Sequence, residues 1–424
     1  MNKIIQKIKL AFGDKAIRRR VLFTVVGLVI FRFLANIPIP GVNPAELARF
    51  FSGNQLFGLI SVFSGGGLSN LSIVMLGVGP YITASIIMQL LTMMSPKLKA
   101  MYQEEGEAGR KKFSQLSRMI SVPLALLQAY GFIILLQKQG VITHFSSFDL
   151  AINVLVVTAG SVLLMWIGEL ITEFGIGNGV SLIIFAGIVA SLPSAVAQTL
   201  FSFDPSQIPM YIAFIFVALV IIYGVIFITE AERPIPVTYA KQVRGNRVYG
   251  GVSTYIPLRL NQAGVIPIIF ALSILLFPQF ILGLISGAVS NEAIKSVSTS
   301  ILAFLSNGYV YATLYFLMVV VFTYFYTAVT FDPHQIAENL QKNGAFVPGV
   351  RPGQSTSEFI GRVLTRITLV GALFLGLVAV LPLIMKAITG IASLAIGGTA
   401  LLIVVSVVLD LVKKIDAQLS MREY

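Results

Sequence analysis

The sequence contains no cysteine, one tryptophan and two histidines among 424 residues, and only 11% of it is charged. Without cysteine there are no disulfides, thiolate metal ligands or cysteine nucleophiles. His144 and His334 fall in loops predicted on opposite sides, so they make no ligand pair. The patterns HExxH, G-x-S-x-G and G-x-x-x-x-G-K-[ST] are missing. GIGNG (175–179) departs from a dinucleotide fingerprint at Val180, with no strand before it. The expectation is therefore no enzyme, no metal and no cofactor.

Scarce charge also defines the solvent. Soluble domains carry about 25% charged residues, whereas this chain is 56% hydrophobic. A bilayer crossing needs roughly 20 mostly apolar residues, and ten such runs are predicted: 21–38, 71–95, 119–136, 151–172, 179–200, 210–229, 264–286, 309–330, 367–388 and 391–411. The first follows Arg18–Arg20 like a signal peptide, but nine further spans make it a retained helix. An even count puts both termini on one side. That side receives all of the 30 lysines and arginines except Arg32, Arg49, Lys138, Lys295 and Lys386, which makes it cytoplasmic. The net charge of +12 thus gathers on one face. There it orients the chain and meets anionic lipids, or docks an acidic partner such as ribosomal RNA.

Intramembrane charge is nearly absent too, which disfavours ion-coupled transport. Arg32 lies in span one, Glu169 and Glu173 at the cytoplasmic end of span four, and Asp410 at the end of span ten. A transporter of a small neutral solute survives this test and is the alternative reading.

What is present is internal similarity. GVGPYI (77–82) in span two matches GVIPII (264–269) in span seven. IGNGVSLI (176–183) in span five matches IGGTALLI (396–403) in span ten. An offset of five spans predicts an all-α, polytopic membrane protein of ten transmembrane helices in two inverted five-helix halves, whose functional interface lies at the midplane. Pro80 and Pro267 are read as kinks in equivalent helices; tolerated prolines are the plainer account of each alone. At similar depth in these four spans stand Val78, Ile82, Val180, Ile184, Val265, Ile269 and Ile403. They read either as ordinary packing or as a hydrophobic constriction that excludes ions by dewetting.

One stretch, GNQLFGLISVFSGGGLSN (53–70), is too short to span and too apolar for a watered loop. As a helix it puts Leu56, Leu59, Ile60 and Phe63 on one face and Gly58, Ser61 and Gly65 on another. Asn54 suits an N-cap, and Gly65, Gly66 and Gly67 form a hinge.

With these features stand IPIPG (37–41), FSGGGLSNLSI (63–73), GPYITASIIMQLLT (79–92), EGEAGRKK (105–112), GIGNGVSLIIFAGIVA (175–190), AGVIPIIFA (263–271) and GAFVPGVRPG (344–353). Together, in this order and over nearly the whole chain, they resemble the bacterial SecY family, channel-forming subunits of the protein-translocation complex. The resemblance implies a protein-conducting channel in the bacterial cytoplasmic membrane. It passes unfolded polypeptides with signal sequences outward and releases apolar segments laterally. It implies that 54–68, with Phe57 among its side chains, is a re-entrant plug helix, and that Val78, Ile82, Val180, Ile184, Ile269 and Ile403 form a pore ring; Val265 is added from the repeat. It implies a lateral gate between spans two and seven, with Gln89 and Asn261 at polar positions; ordinary interhelical hydrogen bonding explains them equally. The implied partners are SecE-like and SecG-like small subunits, the SecA motor ATPase and the ribosome. The last two would dock at loops 230–261 and 331–366, through Arg244, Arg247 and Arg351. Where the family often has adjacent basic residues before VY, this chain has Asn246 and then Arg247. The implied division is a cytoplasmic segment 1–20, a first half 21–200, a second half 201–412 and a cytoplasmic tail 413–424.

Overall fold

The computed structural model describes residues 13–40, 71–138, 142, 145–201, 208–239, 242–244, 247–249, 253–288, 292–389 and 392–420. The predicted plug, with Leu56, Phe57, Leu59, Ile60, Phe63, Gly65, Gly66 and Gly67, lies outside the described residues, as do His144 and Asn246.

The described residues are mostly helical: α1 (Lys15–Leu34), α2 (Gly79–Met94), α3 (Pro96–Gln103), α4 (Gly106–Lys138), α5 (Ser147–Phe174), α6 (Gly179–Phe201), α7 (Ile208–Glu230), α8 (Ile266–Ala288), α9 (Glu292–Ser306), α10 (Gly308–Thr330), α11 (Pro333–Lys342), α12 (Gln354–Thr389) and α13 (Ala392–Ser420). Among them, the segments Gly106–Gln137, Ser147–Phe174, Gly308–Lys342 and Gln354–Met385 are long and apolar enough to cross a membrane by themselves.

The expectation of an all-α chain needs one correction. The segment predicted as loop 230–261 folds into strands β1 (Glu232–Tyr239), β2 (Gln242–Arg244), β3 (Arg247–Tyr249) and β4 (Ser253–Arg259), and β5 (Ala345–Phe346) joins them from the second long loop. β1 pairs antiparallel with β4, Ile235 opposite Ile256, and with β5, Thr238 opposite Phe346. Ile235, Val237 and Leu258 pack with Ala345, Val347, Ile360, Val363 and Ile367, so the two long loops form one body seated on the start of α12. The segment between the predicted spans 71–95 and 119–136 is likewise structured, as α3 and the first turns of α4.

Helix neighbours follow a regular scheme. Within the first five long helices, α2 packs on α4 and α5, α4 on α5, α5 on α6, and α1 on α5 and α6. Within the next five, α8 packs on α10 and α12, α10 on α12, α12 on α13, and α7 on α12 and α13. The two groups meet along two seams, α8 against α2 and α4, and α6 against α13.

Candidate functional site

The matched proline motifs adopt one local structure. Gly77 and Gly264 have φ of 57° and 61°, a left-handed backbone that only glycine adopts cheaply. Helix begins two residues later, with Pro80 and Pro267 in the first turn. The prolines therefore start helices rather than kink them. A first-turn N–H has no intrahelical acceptor, so proline forfeits nothing there. The second sequence match fails locally. Gly177, at φ 91°, lies in the turn before α6, whereas 396–403 lies inside α13.

Each motif start is held by a glycine on a long helix of its own group. A Cβ on Gly160 of α5 would meet the Ile73 carbonyl oxygen, and one on Gly371 of α12 would meet that of Leu260. Both carbonyls lie seven residues before the motif proline. Ser161 Oγ also donates to the Gly77 carbonyl at 2.8 Å.

Before α2 the chain runs through consecutive turns that bury Leu71, Ser72, Val74, Met75 and Val78 completely. Ile39 N–H donates to Leu71 O and Ile73 N–H to Ile37 O, each at 2.9 Å. These two bonds staple together the ends of the stretch that holds the predicted plug. Leu71, at φ 40°, takes a backbone unusual for its type.

Three aliphatic pairs sit one turn apart at helix starts: Val78 with Ile82, Val180 with Ile184, and Val265 with Ile269. Ile82 N–H donates to Val78 O at 3.1 Å and Ile269 N–H to Val265 O at 3.3 Å. Those six and Ile403 belong to one contiguous apolar cluster, with Val180 at its half-buried margin. α6 begins against α5, where a Cβ on Gly179 would strike the Gly168 carbonyl.

Buried polar atoms that the apolar pattern does not announce stand on α2 and in the segment between β4 and α8. Gln89 Oε1, Asn261 Oδ1 and Gln262 Nε2 are buried and have no hydrogen-bond partner among the described residues. At the same end, Gln103 Nε2 of α3 donates to the Val329 carbonyl of α10 at 2.9 Å, and Lys99 lies 4.0 Å from Asp332. Gln103 and Gln262 were not singled out from sequence; Gln262's place beside Asn261 was the only signal. Of the four charges that the sequence places in or at the ends of spans, Glu169 pairs with Arg118 and Asp410 with Lys414.

Arg244 is in register with Arg247 where β2 pairs antiparallel with β3. Arg351 is exposed in the turn before α12, where its carbonyl accepts from Thr356 Oγ1 at 2.8 Å. The described residues contain no cluster of metal-ligating side chains.

A polytopic helical membrane protein with an apolar centre and two seams is the class this architecture defines. The SecY family model matches residues 72–412. Protein translocase subunit SecY of Mycobacterium tuberculosis is 43% identical, with 96% of each chain covered. That of Corynebacterium glutamicum is 41% identical, over 100% of this chain and 99% of the relative. That of Thermotoga maritima is 40% identical, over 99% and 96%. The chain belongs to the SecY family. Solved structures share its fold: one described as a protein conducting channel (TM-score 0.64, 17% identity) and one of SecY concerned with the plug domain (0.67, 19%), each covering 96% of this chain and 93% of its own. Sec61 in the canine ribosome–channel complex gives 0.63 at 17%, with the same coverage.

Proposed function

We propose that this chain is the protein-conducting channel of a translocase, with ten spans in two inverted halves (21–200 and 201–412) between cytoplasmic segments 1–20 and 413–424. The neighbour scheme supports the halves: every pairing among α1, α2, α4, α5 and α6 has its counterpart among α7, α8, α10, α12 and α13. The Gly160 and Gly371 contacts correspond in the same way.

One observation carries the pore: aliphatic pairs stand at the starts of α2, α6 and α8, and α2 is too short to cross a bilayer. α2 has 16 residues, about 24 Å, which falls short of a hydrocarbon core of roughly 30 Å. Its first turn therefore lies within the membrane, where irregular backbone is tolerated only inside protein or beside a watery cavity. Val78, Ile82, Val180, Ile184, Val265, Ile269 and Ile403 then form a dewetting ring, with the plug at 54–68. The α2/α4–α8 seam is the lateral gate, started at Pro80 and Pro267. Gln89 and Asn261 await polar partners there, and the Gln103–Val329 bond closes its cytoplasmic end.

The channel consumes no fuel of its own. SecE-like and SecG-like subunits complete the assembly in a bacterial cytoplasmic membrane with anionic lipids, and both termini face the cytoplasm. The SecA motor or the ribosome docks on the β1–β5 body and its hairpin through Arg244, Arg247 and Arg351. The solute-transporter alternative finds no support among the relatives.

The test uses the absence of native cysteine. Ile82→Cys is paired with a single cysteine in a secretory chain stalled in reconstituted membranes, and the sample is oxidised. A crosslink that needs both cysteines is expected. If the chain crosses the membrane but crosslinks at neither Ile82→Cys nor Ile184→Cys, the pore assignment fails.

A further inference from the structure

α9 connects α8 to α10 at the end of the bundle opposite the β1–β4 hairpin, which runs directly into α8. Its 15 residues reach about 22 Å, too short to cross a bilayer. At 100° per residue its surface divides into three faces rather than two. Ser298, Leu302 and Leu305 turn toward the protein, where α9 packs on α8 and α10. Glu292, Lys295, Ser296, Thr299 and Ser300 form an exposed polar arc. The third face is apolar and uncovered: Val297, Ile301 and Phe304 are 59%, 41% and 62% exposed.

A soluble loop helix has no need of that third face. We infer that α9 lies in the outer interfacial layer of the bilayer, with Val297, Ile301 and Phe304 inserted at the boundary between phospholipid headgroups and acyl chains. Two arguments commit the face to lipid. Both flanking helices, α8 and α10, enter the membrane from the ends of α9, which holds it at the surface. The polar arc is centred opposite the boundary between the apolar stripe and the packed face, so one orientation turns it to water while the stripe meets lipid. Tyr309, 82% exposed at the start of α10, adds an aromatic ring of the kind enriched at this depth. Insertion of roughly 5–10 Å follows for such a helix. The inference rests on α8 and α10 crossing the membrane and is independent of the pore assignment.

The test is a nitroxide scan of the full chain in vesicles of phosphatidylethanolamine and phosphatidylglycerol. Single cysteines replace Ser296, Val297, Ser300, Ile301 and Phe304, and each label is exposed to molecular oxygen and to a water-soluble nickel chelate. The oxygen-to-nickel accessibility ratio is expected to be several-fold higher at 297, 301 and 304 than at 296 and 300. High nickel access at all five positions overturns the inference in favour of water. Immobile labels at 297, 301 and 304, shielded from both reagents, overturn it in favour of a protein neighbour, either a second copy or a small subunit. Phe304→Trp in a Trp166→Phe background provides a label-free check. Its fluorescence is expected to be quenched by acyl-brominated lipid and little by acrylamide; the reverse pattern also overturns the inference.

Discussion

At Gly160 a methyl group would meet the carbonyl oxygen of Ile73, and at Gly371 that of Leu260. A backbone carbonyl cannot step aside as a side-chain tip can. Gly160→Val and Gly371→Val are therefore each expected to lower stability by about 1–3 kcal/mol or more, seen as a lower unfolding midpoint in detergent. Gly361→Ala is the control: the nearest atom to its Cβ is Pro333 Cγ at 3.8 Å, so its midpoint should hold or rise. Equal midpoints for all three would remove the close approach from the account. Gly77→Ala and Gly264→Ala should each cost roughly 1–2 kcal/mol through the left-handed backbone, and by similar amounts, since the two sites repeat one conformation. The motif glycines were legible because their spacing recurs. Gly160 and Gly371 were not, because nothing in a chain with 37 glycines says which of them faces a carbonyl.

Apolar runs marked where helices lie but not where they begin. Pro80 and Pro267 looked like interior kinks because the runs 71–95 and 264–286 continue apolar through them. The backbone instead spends Leu71–Val78 on turns and starts α2 afterwards. The polar loops hide their structure for a different reason: α3, α11 and the strands are short, and β5 finds its partner a hundred residues away. The α3 contact follows from such structure. An amide–carbonyl bond contributes about 1 kcal/mol, whereas the exposed Lys99–Asp332 pair at 4.0 Å contributes less than that. With spin labels at exposed Lys97 and Asn339, Gln103→Ala should raise the population of the longer distance about fivefold, and Lys99→Ala should change it little. Equal effects would mean that the ion pair, not the amide, holds this end closed.

At the scale of the whole molecule the two ends differ in form. One holds the β1–β5 body, built from the two loops that the sequence reading makes cytoplasmic and basic, and the other holds α9 with its exposed apolar stripe. The expected side of the charge follows from the positive-inside rule, which acts on loops whatever their structure. The joining of two distant loops into one platform was not legible in the sequence, since it depends on pairings such as Thr238 with Phe346. If the platform is the proposed docking surface, its hairpin brings Arg244 into backbone register with Arg247, and two arginines at one place suit an anion. If that anion is ribosomal RNA, each arginine displaces counterions. Replacing both with alanine should then weaken binding of detergent-solubilised channel to ribosomes and reduce the slope of log affinity against log salt by about two. A weaker affinity with an unchanged slope would assign the hairpin to a protein surface, where each lost charge changes contact energy without releasing a condensed ion. Binding unaffected by either change would remove the hairpin from docking and leave Arg351, on the same platform, as the charge to test next.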